Sequence, residues 1–124
     1  MKSDDFETSR KVIGCAISVH RVLGCGYFEG VYENALAIEL QRKGISFQRQ
    51  VQLLVRYREQ VVGNYFADLI VENKLLLELK ALNSLNNTCE SQLLNYLKAS
   101  NIQIGLLINF GSTSLQLKRM TIAH

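Results

Sequence analysis

The chain has 124 residues, of which 48% are hydrophobic and 20% are charged, which is ordinary usage for one globular domain with one core. This composition excludes a disordered chain, a collagen-like chain and a small disulfide-rich protein, and no apolar run reaches the roughly 20 residues that a bilayer requires. The net charge of +3 is too small to indicate a polyanionic partner by itself. We therefore predict a single domain over residues 1–124 that does not enter a membrane. The middle of the chain is locally basic, with Arg42, Lys43, Arg49, Arg56 and Arg58. These residues form either a solvated face or a contact surface.

The three cysteines, Cys15, Cys25 and Cys89, show no C-x-x-C spacing, and two histidines cannot complete a four-ligand zinc site with them. Reduced thiols, together with a start that lacks the apolar core of a signal peptide, predict a cytoplasmic protein. Cys15 and His20 form a candidate nucleophile pair. Their spacing of five residues is outside the helical i, i+4 register, so a buried structural cysteine is the interpretation we favour.

The first third of the chain predicts two helices. Apolar residues at three- and four-residue spacing indicate a helix over residues 9–23, whose first turn Thr8 or Ser9 can cap. The glycines of Gly24-Cys25-Gly26 end this helix and form a tight hinge. A second helix is predicted over residues 28–43.

The next segments are rich in Val, Leu, Tyr and Phe, which favour strands. Strands are predicted over residues 46–57, 61–71 and 75–81, with turns at Arg58-Glu59-Gln60 and Glu72-Asn73-Lys74. Three consecutive strands with short turns form an antiparallel meander.

The last part of the chain predicts a crossover. A third helix covers residues 88–99, with Asn87 as its cap and Glu90 reaching back to it. The apolar run over residues 102–110 indicates a strand buried on both faces, and residues 115–120 indicate an edge strand. The order α-α-β-β-β-α-β-β defines an α/β (α+β) fold, in which a mixed central sheet is flanked by helices.

Charged residues interrupt the leucine-rich third strand. Glu78 and Lys80 are two residues apart and therefore share a face, whereas Leu77 and Leu79 point to the other face. Asp68 on the preceding strand can reach the same place. Two carboxylates and a lysine can bind a hard divalent cation and place a water beside it. The alternative is a structural ion pair between Lys80 and one of the two acids.

The shared face depends on the turn between the second and third strands. A two-residue hairpin would place Asp68 opposite Leu77, facing away from Glu78. A three-residue turn, or a bulge, places Asp68 opposite Glu78. We therefore expect a turn of three residues in which Asn73 or Lys74 adopts a left-handed conformation.

Two helices carry further polar residues. The segment before the second helix, Gly26 to Tyr32, has the pattern G-x-x-E-x-x-Y, in which Glu29 is the acid. On the third helix, Gln92 and Tyr96 are four residues apart and share a stripe. For Glu29 the alternative is an acid that favours a helix N-terminus, and for Gln92 and Tyr96 it is ordinary helix–sheet packing.

Asp68 followed by Glu78-Leu79-Lys80 matches the D…(D/E)-x-K core of the PD-(D/E)xK nuclease superfamily. Together with G-x-x-E-x-x-Y and the Gln92…Tyr96 helix, this order resembles the GxxExxY proteins, a branch of that superfamily, over about residues 13–110. The resemblance implies a restriction-endonuclease-like core. His20 lies on the apolar stripe of the first helix, where a hydrogen-bonded core residue is the interpretation we favour over a ligand. The resemblance adds weight to a functional role, because relatives tend to carry Val-His here.

Three positions depart from the family pattern. Ala67 stands where the superfamily often has a proline, Cys25 stands where relatives often have a proline, and Cys89 stands where relatives have a histidine. The three core positions are intact, which argues against an inactive member.

The resemblance also implies roles for individual residues. Asp68 and Glu78 would hold Mg²⁺ or Mn²⁺ with the carbonyl oxygen of Leu79, and Lys80 would orient or deprotonate the attacking water. Glu29, or Glu33 one turn later, would complete the metal's shell from the helix. Gln92 and Tyr96 would face the site or the scissile phosphate.

The expected function is divalent-metal-dependent hydrolysis of phosphodiester bonds in nucleic acid, with DNA expected ahead of RNA. One alternative is a non-catalytic nucleic-acid-binding or regulatory module that kept the fold, and another is a dimeric junction resolvase. A homodimer is expected because it would double the basic surface and cover the edge strand.

Overall fold

The computed structural model describes residues 3–124, with side chains from Phe6 onward. The predicted order of elements is confirmed. The bounds of the helices and strands are α1 Ser3–Leu23, α2 Glu29–Arg42, β1 Phe47–Tyr57, β2 Gln60–Val71, β3 Leu75–Lys80, α3 Asn87–Ala99, β4 Ile104–Asn109 and β5 Gln116–Thr121.

Five strands form one mixed sheet in the order β1-β2-β3-β4-β5. The first three strands are the predicted antiparallel meander. β3 and β4 are parallel because α3 carries the chain back across the sheet, and β5 returns antiparallel to β4 at the far edge. The sheet is therefore the expected mixed α/β architecture, with β3 at its centre.

Each face of the sheet carries its own hydrophobic core. Leu77 and Leu79 pack on the side of α1 and α2, where Tyr32 of α2 stacks on Phe110 with ring centroids 4.7 Å apart. Leu76 packs on the opposite side, against α3. Alternation along β3 thus supplies both cores, and the polar residues of β3 must fit on the α3 side.

Two helix starts differ from the prediction. α1 already includes residue 3, so Thr8 and Ser9 are buried inside the helix and do not cap it. α3 is capped by Asn86, whose side-chain oxygen accepts a 3.0 Å hydrogen bond from the Cys89 N–H. The prediction of Asn87 as the cap was wrong because two adjacent asparagines offer the same capping chemistry. Glu90 does not close a capping box and pairs instead with Lys118.

The β1–β2 hairpin ends in a tight turn. Arg58 and Glu59 have φ angles of 49° and 67°, the pair of left-handed residues that a two-residue turn requires. Gln60 already belongs to β2, so the turn is one residue shorter than predicted. Within the described part of the chain, no helix is long and apolar enough to cross a membrane.

Candidate active site

The turn between β2 and β3 has the predicted length. Leu69 pairs with Leu77 and Val71 with Leu75, which leaves three turn residues. Continuing this register by one residue places Asp68 opposite Glu78.

The conformation of this turn is also close to the prediction. Asn73 is left-handed, with a φ of 57°, as expected. Glu72 is also left-handed, with a φ of 51°, whereas Lys74 is not. The N–H of Lys74 closes the turn with a 3.0 Å bond to the carbonyl of Val71. The local conformation that brings the two acids to one face is therefore built into the turn.

The two acids are joined through the main chain of the opposite strand. The N–H of Asp68 donates to Oε1 of Glu78 at 3.1 Å, and the N–H of Leu79 donates to Oδ2 of Asp68 at 2.8 Å. Carboxylates thus replace the ladder bonds at the point where the β2–β3 pairing ends. Their positions are fixed by bonds between the strands and not by flexible surface contacts.

Burial makes the charge on this pair costly. Glu78 is 4% exposed, and this burial, followed by the nearby charge of Asp68, raises the pKa of Glu78 from 4.5 to about 8. Burial also raises the pKa of Asp68, while the bond from Leu79 and a bond from Gln50 lower it. Such a site favours a proton or a cation between the two acids.

Lys80 belongs to a polar chain that leads to α3. Its Nζ donates to Oε1 of Gln92 at 2.6 Å, and Nε2 of Gln92 donates to the hydroxyl of Tyr96 at 3.2 Å. Burial, followed by the charge of Glu78, raises the pKa of Tyr96. The structure therefore places Gln92 and Tyr96 on the face of the sheet that carries Glu78 and Lys80.

The structural ion-pair alternative finds no support. No ion pair within 4.0 Å between Lys80 and either Asp68 or Glu78 occurs in residues 3–124. The amine is held instead by a neutral amide. It stays available to a negatively charged group that enters from solvent.

The two glutamates of α2 have different surroundings. Glu33 is engaged, because its Oε2 accepts bonds of 2.7 and 3.0 Å from the Arg49 guanidinium. Glu29 is exposed as a residue, but partial desolvation of its carboxylate raises its pKa, while nearby Lys80 lowers it. The charges of Lys80 and Asp68 therefore act on Glu29, and its role in the site stays a prediction.

The tyrosine of that pattern fixes the loop before Glu29. Tyr32 is fully buried, and its hydroxyl donates to the Gly24 carbonyl at 2.7 Å and accepts from the Tyr27 N–H at 3.2 Å. Gly24 and Gly26 have φ angles of 67° and 117°, which suit glycine. The pattern is thus a structural unit that sets where α2 and Glu29 begin.

One contributor, Gln50 of β1, was missed by the sequence reasoning. Its Nε2 donates to Oε1 of Glu33 at 2.7 Å and to Oδ1 of Asp68 at 3.3 Å. Its φ of 48° is left-handed within a strand, and it is absent from the β1–β2 pairing although Arg49 and Val51 are paired. The polar run Gln48-Arg49-Gln50 interrupts the apolar alternation of β1, but it does not single out Gln50.

Other candidate residues lie elsewhere. Cys15 is buried, and burial raises the pKa of its thiol, which opposes a role as a nucleophile. His20 contacts the carbonyl oxygen of Ser112 at 3.0 Å and lies 6.3 Å from the Phe110 ring, so it has a structural role.

Two basic residues of the middle segment are engaged by acids, and a third lies further along β1. Arg42 pairs with Glu39 on α2, and Arg49 is held by Glu33. Arg56 lies seven residues beyond Arg49, roughly 23 Å along the strand. A basic face shared by the two copies of a homodimer stays a prediction.

The carboxylate oxygens of Asp68 and Glu78 fit a hard divalent cation that takes only a few of its ligands from the protein. Among the residues that the structure describes, no three His, Cys, Asp or Glu side chains form a metal-ligand group. Asp68 and Glu78 converge, whereas Glu29 does not join them as a third ligand. Mg²⁺ commonly binds through one or two carboxylates and keeps several waters, so the two converging carboxylates suit it.

Comparisons with known proteins agree with this geometry. The family model described as the PD-(D/E)XK nuclease superfamily matches residues 6–120. A solved structure described as "Crystal structure of SSO0001" superposes with a TM-score of 0.54 at 15% identity, over 77% of this chain and 50% of that one. That likeness shows the fold alone, and the chain spans half the length of the protein it matches. Among curated proteins, none matches this sequence significantly.

The family model covers nearly the whole chain, and the chain therefore belongs to the PD-(D/E)XK nuclease superfamily. The mixed five-stranded sheet flanked by helices is consistent with the restriction-endonuclease-like fold of that superfamily.

Proposed function

We propose that this protein hydrolyses phosphodiester bonds in nucleic acid with the help of Mg²⁺ or Mn²⁺, at a site formed by Asp68, Glu78 and Lys80. The observation that carries the proposal is the pair formed by buried Glu78 and half-buried Asp68, fixed across two strands beside the Lys80 amine, which Gln92 holds. Two acids this close, one of them buried, are costly to retain for stability alone. It is useful when it holds a cation.

The two carboxylates, with the carbonyl oxygen of Leu79, would hold the cation. When bound, the cation would supply a Lewis acid for the negative charge that develops on the phosphate. Asp68 and Glu78 are already positioned by the N–H groups of the opposite strands, so little ordering is needed when the ion binds.

Lys80 would hold the attacking water or the phosphate oxygen. Its Nζ is directed by Gln92, and Gln92 is in turn fixed by Tyr96, so the amine has a defined position on the α3 side of β3. Glu29 would act from the solvent side of the site, where its carboxylate interacts with Lys80 and Asp68. Gln92 and Tyr96 would act through Lys80 or contact the scissile phosphate.

The GxxExxY branch is the finer assignment that we propose within the superfamily. The support is structural, because the pattern's tyrosine fixes the loop that precedes its glutamate. We further propose DNA ahead of RNA as the substrate. A homodimer that covers the edge strand β5 is also a proposal.

A panel of labelled single-stranded, duplex and branched nucleic acids, incubated with and without Mn²⁺, tests the activity. We expect cleavage by the wild type that requires Mn²⁺ and is lost in Asp68→Asn. Binding without cleavage of any substrate would favour a non-catalytic module instead. Preferential cleavage of branched duplexes by a dimer would favour a junction resolvase.

A further inference from the structure

Gln50 adopts a backbone conformation that its element does not require. Five residues other than glycine have positive φ among the described residues, and four of them lie in the two tight turns. Gln50 is the fifth, and it lies inside β1. A left-handed conformation is unfavourable for a residue with a Cβ, so the surrounding structure must impose it.

At Gln50, the side chains of β1 change the face of the sheet to which they point. Phe47 packs in the core of α1 and α2, whereas Val51 and Leu53 pack in the core of α3. Regular alternation would place all three on one face. The irregularity at Gln50 thus reverses the two faces of β1 at the level of the site.

β2 changes face at the same level. Leu69 packs in the core of α1 and α2, whereas Ala67 packs in the core of α3. Residues two apart in a regular strand would share one face of the sheet. The residue between them is Asp68, which falls opposite the unpaired Gln50 because the flanking pairs are Arg49–Leu69 and Val51–Ala67. These flanking pairs keep one register, so both strands change face without an inserted residue.

The re-aimed side chain lies between two acids. One N–H of the Gln50 carboxamide reaches Oε1 of Glu33 at 2.7 Å, and its amide nitrogen also lies 3.3 Å from Oδ1 of Asp68. The other oxygen of Asp68 is already bonded to Leu79. With both oxygens engaged, rotation of the Asp68 carboxylate is restricted.

We propose that Gln50 is a positioning residue of the site, whose left-handed backbone aims its amide so that Asp68 presents its carboxylate to a divalent cation. This inference rests on the proposed function. The acceptor Glu33 anchors the amide from the other side, because Arg49 holds Glu33 in place. Gln50 acts through Asp68 and does not itself contact the substrate.

The test compares glycine at two positions of the same strand. Gln50→Gly removes the amide but suits the left-handed backbone. Gln52→Gly is the matched control, because Gln52 lies two residues further on, has no positive φ and bonds only to Asn64 at 3.1 Å. Gln50→Asn is a second variant, since asparagine tolerates the conformation but is shorter by one methylene.

The primary measurement is calorimetric titration with Mn²⁺, together with the melting temperature of each metal-free protein. We expect Gln50→Gly to melt at or above the wild-type temperature and to bind Mn²⁺ roughly 10-fold more weakly, as for partners that orient metal ligands. Gln50→Asn should also bind more weakly. Gln52→Gly should melt lower and bind Mn²⁺ as the wild type does.

A second readout separates positioning from a purely structural role. The Mn²⁺ concentration for half-maximal cleavage should rise in Gln50→Gly, while the rate at saturating Mn²⁺ returns close to the wild-type rate. Wild-type Mn²⁺ affinity in Gln50→Gly would overturn this inference and leave the proposed function intact. No Mn²⁺ binding by the wild type would overturn the proposed function and this inference with it.

Discussion

Asp68 and Glu78 face each other across β2 and β3, and each is tied to the other strand, since the N–H of Asp68 donates to Glu78 and the N–H of Leu79 donates to Asp68. This arrangement fixes buried Glu78 and half-buried Asp68 side by side at the point where the strands cease to pair. Their proximity and burial lead directly to measurable effects of pH and of metal.

The stability of the metal-free protein should fall as pH rises from about 4.5 to 8. The folded state keeps the Glu78 proton up to about pH 8, whereas the unfolded state releases it near pH 4.5. Between these values the folded state binds more protons, so the slope of unfolding free energy against pH is negative. The loss is on the order of a few kcal/mol, since one pKa unit corresponds to about 1.4 kcal/mol. Thermal melts in EDTA from pH 5 to 8.5 measure it.

The control for this pH effect is Glu78→Gln, whose amide oxygen can still accept the bond from Asp68 but does not titrate. Its melting temperature should depend much less on pH over the same range. Equal pH dependence in the wild type and in Glu78→Gln would show that the pKa of Glu78 is not raised in the folded protein.

Mg²⁺ should stabilise the folded protein at pH 8. A ligand at 100 times its dissociation constant stabilises by about 2.7 kcal/mol if it binds only the folded state. Asp68→Asn should lose most of this shift because it removes one of the two charged ligands. Without metal, Asp68→Asn should be at least as stable as the wild type, because repulsion with Glu78 is relieved.

The comparison for this experiment is Glu59→Gln, which removes an acid at the exposed hairpin turn far along β2 from Asp68. Its Mg²⁺-dependent melting shift should equal that of the wild type. An undiminished shift in Asp68→Asn would exclude Asp68 as a ligand.

Tyr32→Phe should lower the unfolding free energy by about 1–3 kcal/mol, because it leaves the Gly24 carbonyl and the Tyr27 N–H without their partner. Tyr57→Phe, at the exposed hairpin tip, should change it by less than about 0.5 kcal/mol. Urea denaturation measures both. If the two variants were equally stable, the hydroxyl of Tyr32 would not be holding the hinge.

The order of the helices and strands and the common face of Asp68 and Glu78 were predictable from the sequence, because they depend on local patterns. Apolar periodicity defines the helices and strands, and the two-residue spacing of Glu78 and Lys80 fixes their common face. The requirement that Asp68 and Glu78 share a face predicted a turn of three residues after Val71, with a left-handed residue at Asn73 or Lys74, and Asn73 is left-handed. These features are decided within short stretches of chain.

Most of the features that the sequence did not predict depend on contacts between distant segments of the chain. Gln50 is one of three consecutive polar residues in β1, and the face change that aims it arises from packing on both sides of the sheet. The engagement of Glu33 by Arg49 joins residues 16 apart and could not be read from either helix or strand alone. The cap of α3 was misassigned because adjacent asparagines are chemically equivalent.

The most direct test of the proposed function is the single-turnover cleavage rate of Lys80→Ala, measured with Mn²⁺ on the best substrate of the wild type. Lys74→Ala, in the turn at the other end of β3, is the matched control. The account predicts that Lys80→Ala folds and binds nucleic acid nearly as the wild type does, because one phosphate contact is a small part of affinity. Its cleavage rate should fall by at least about 100-fold, since the amine acts on charge that develops in the transition state. A Lys80→Ala variant that cleaves as fast as the wild type and the Lys74→Ala control would contradict the proposed nuclease mechanism.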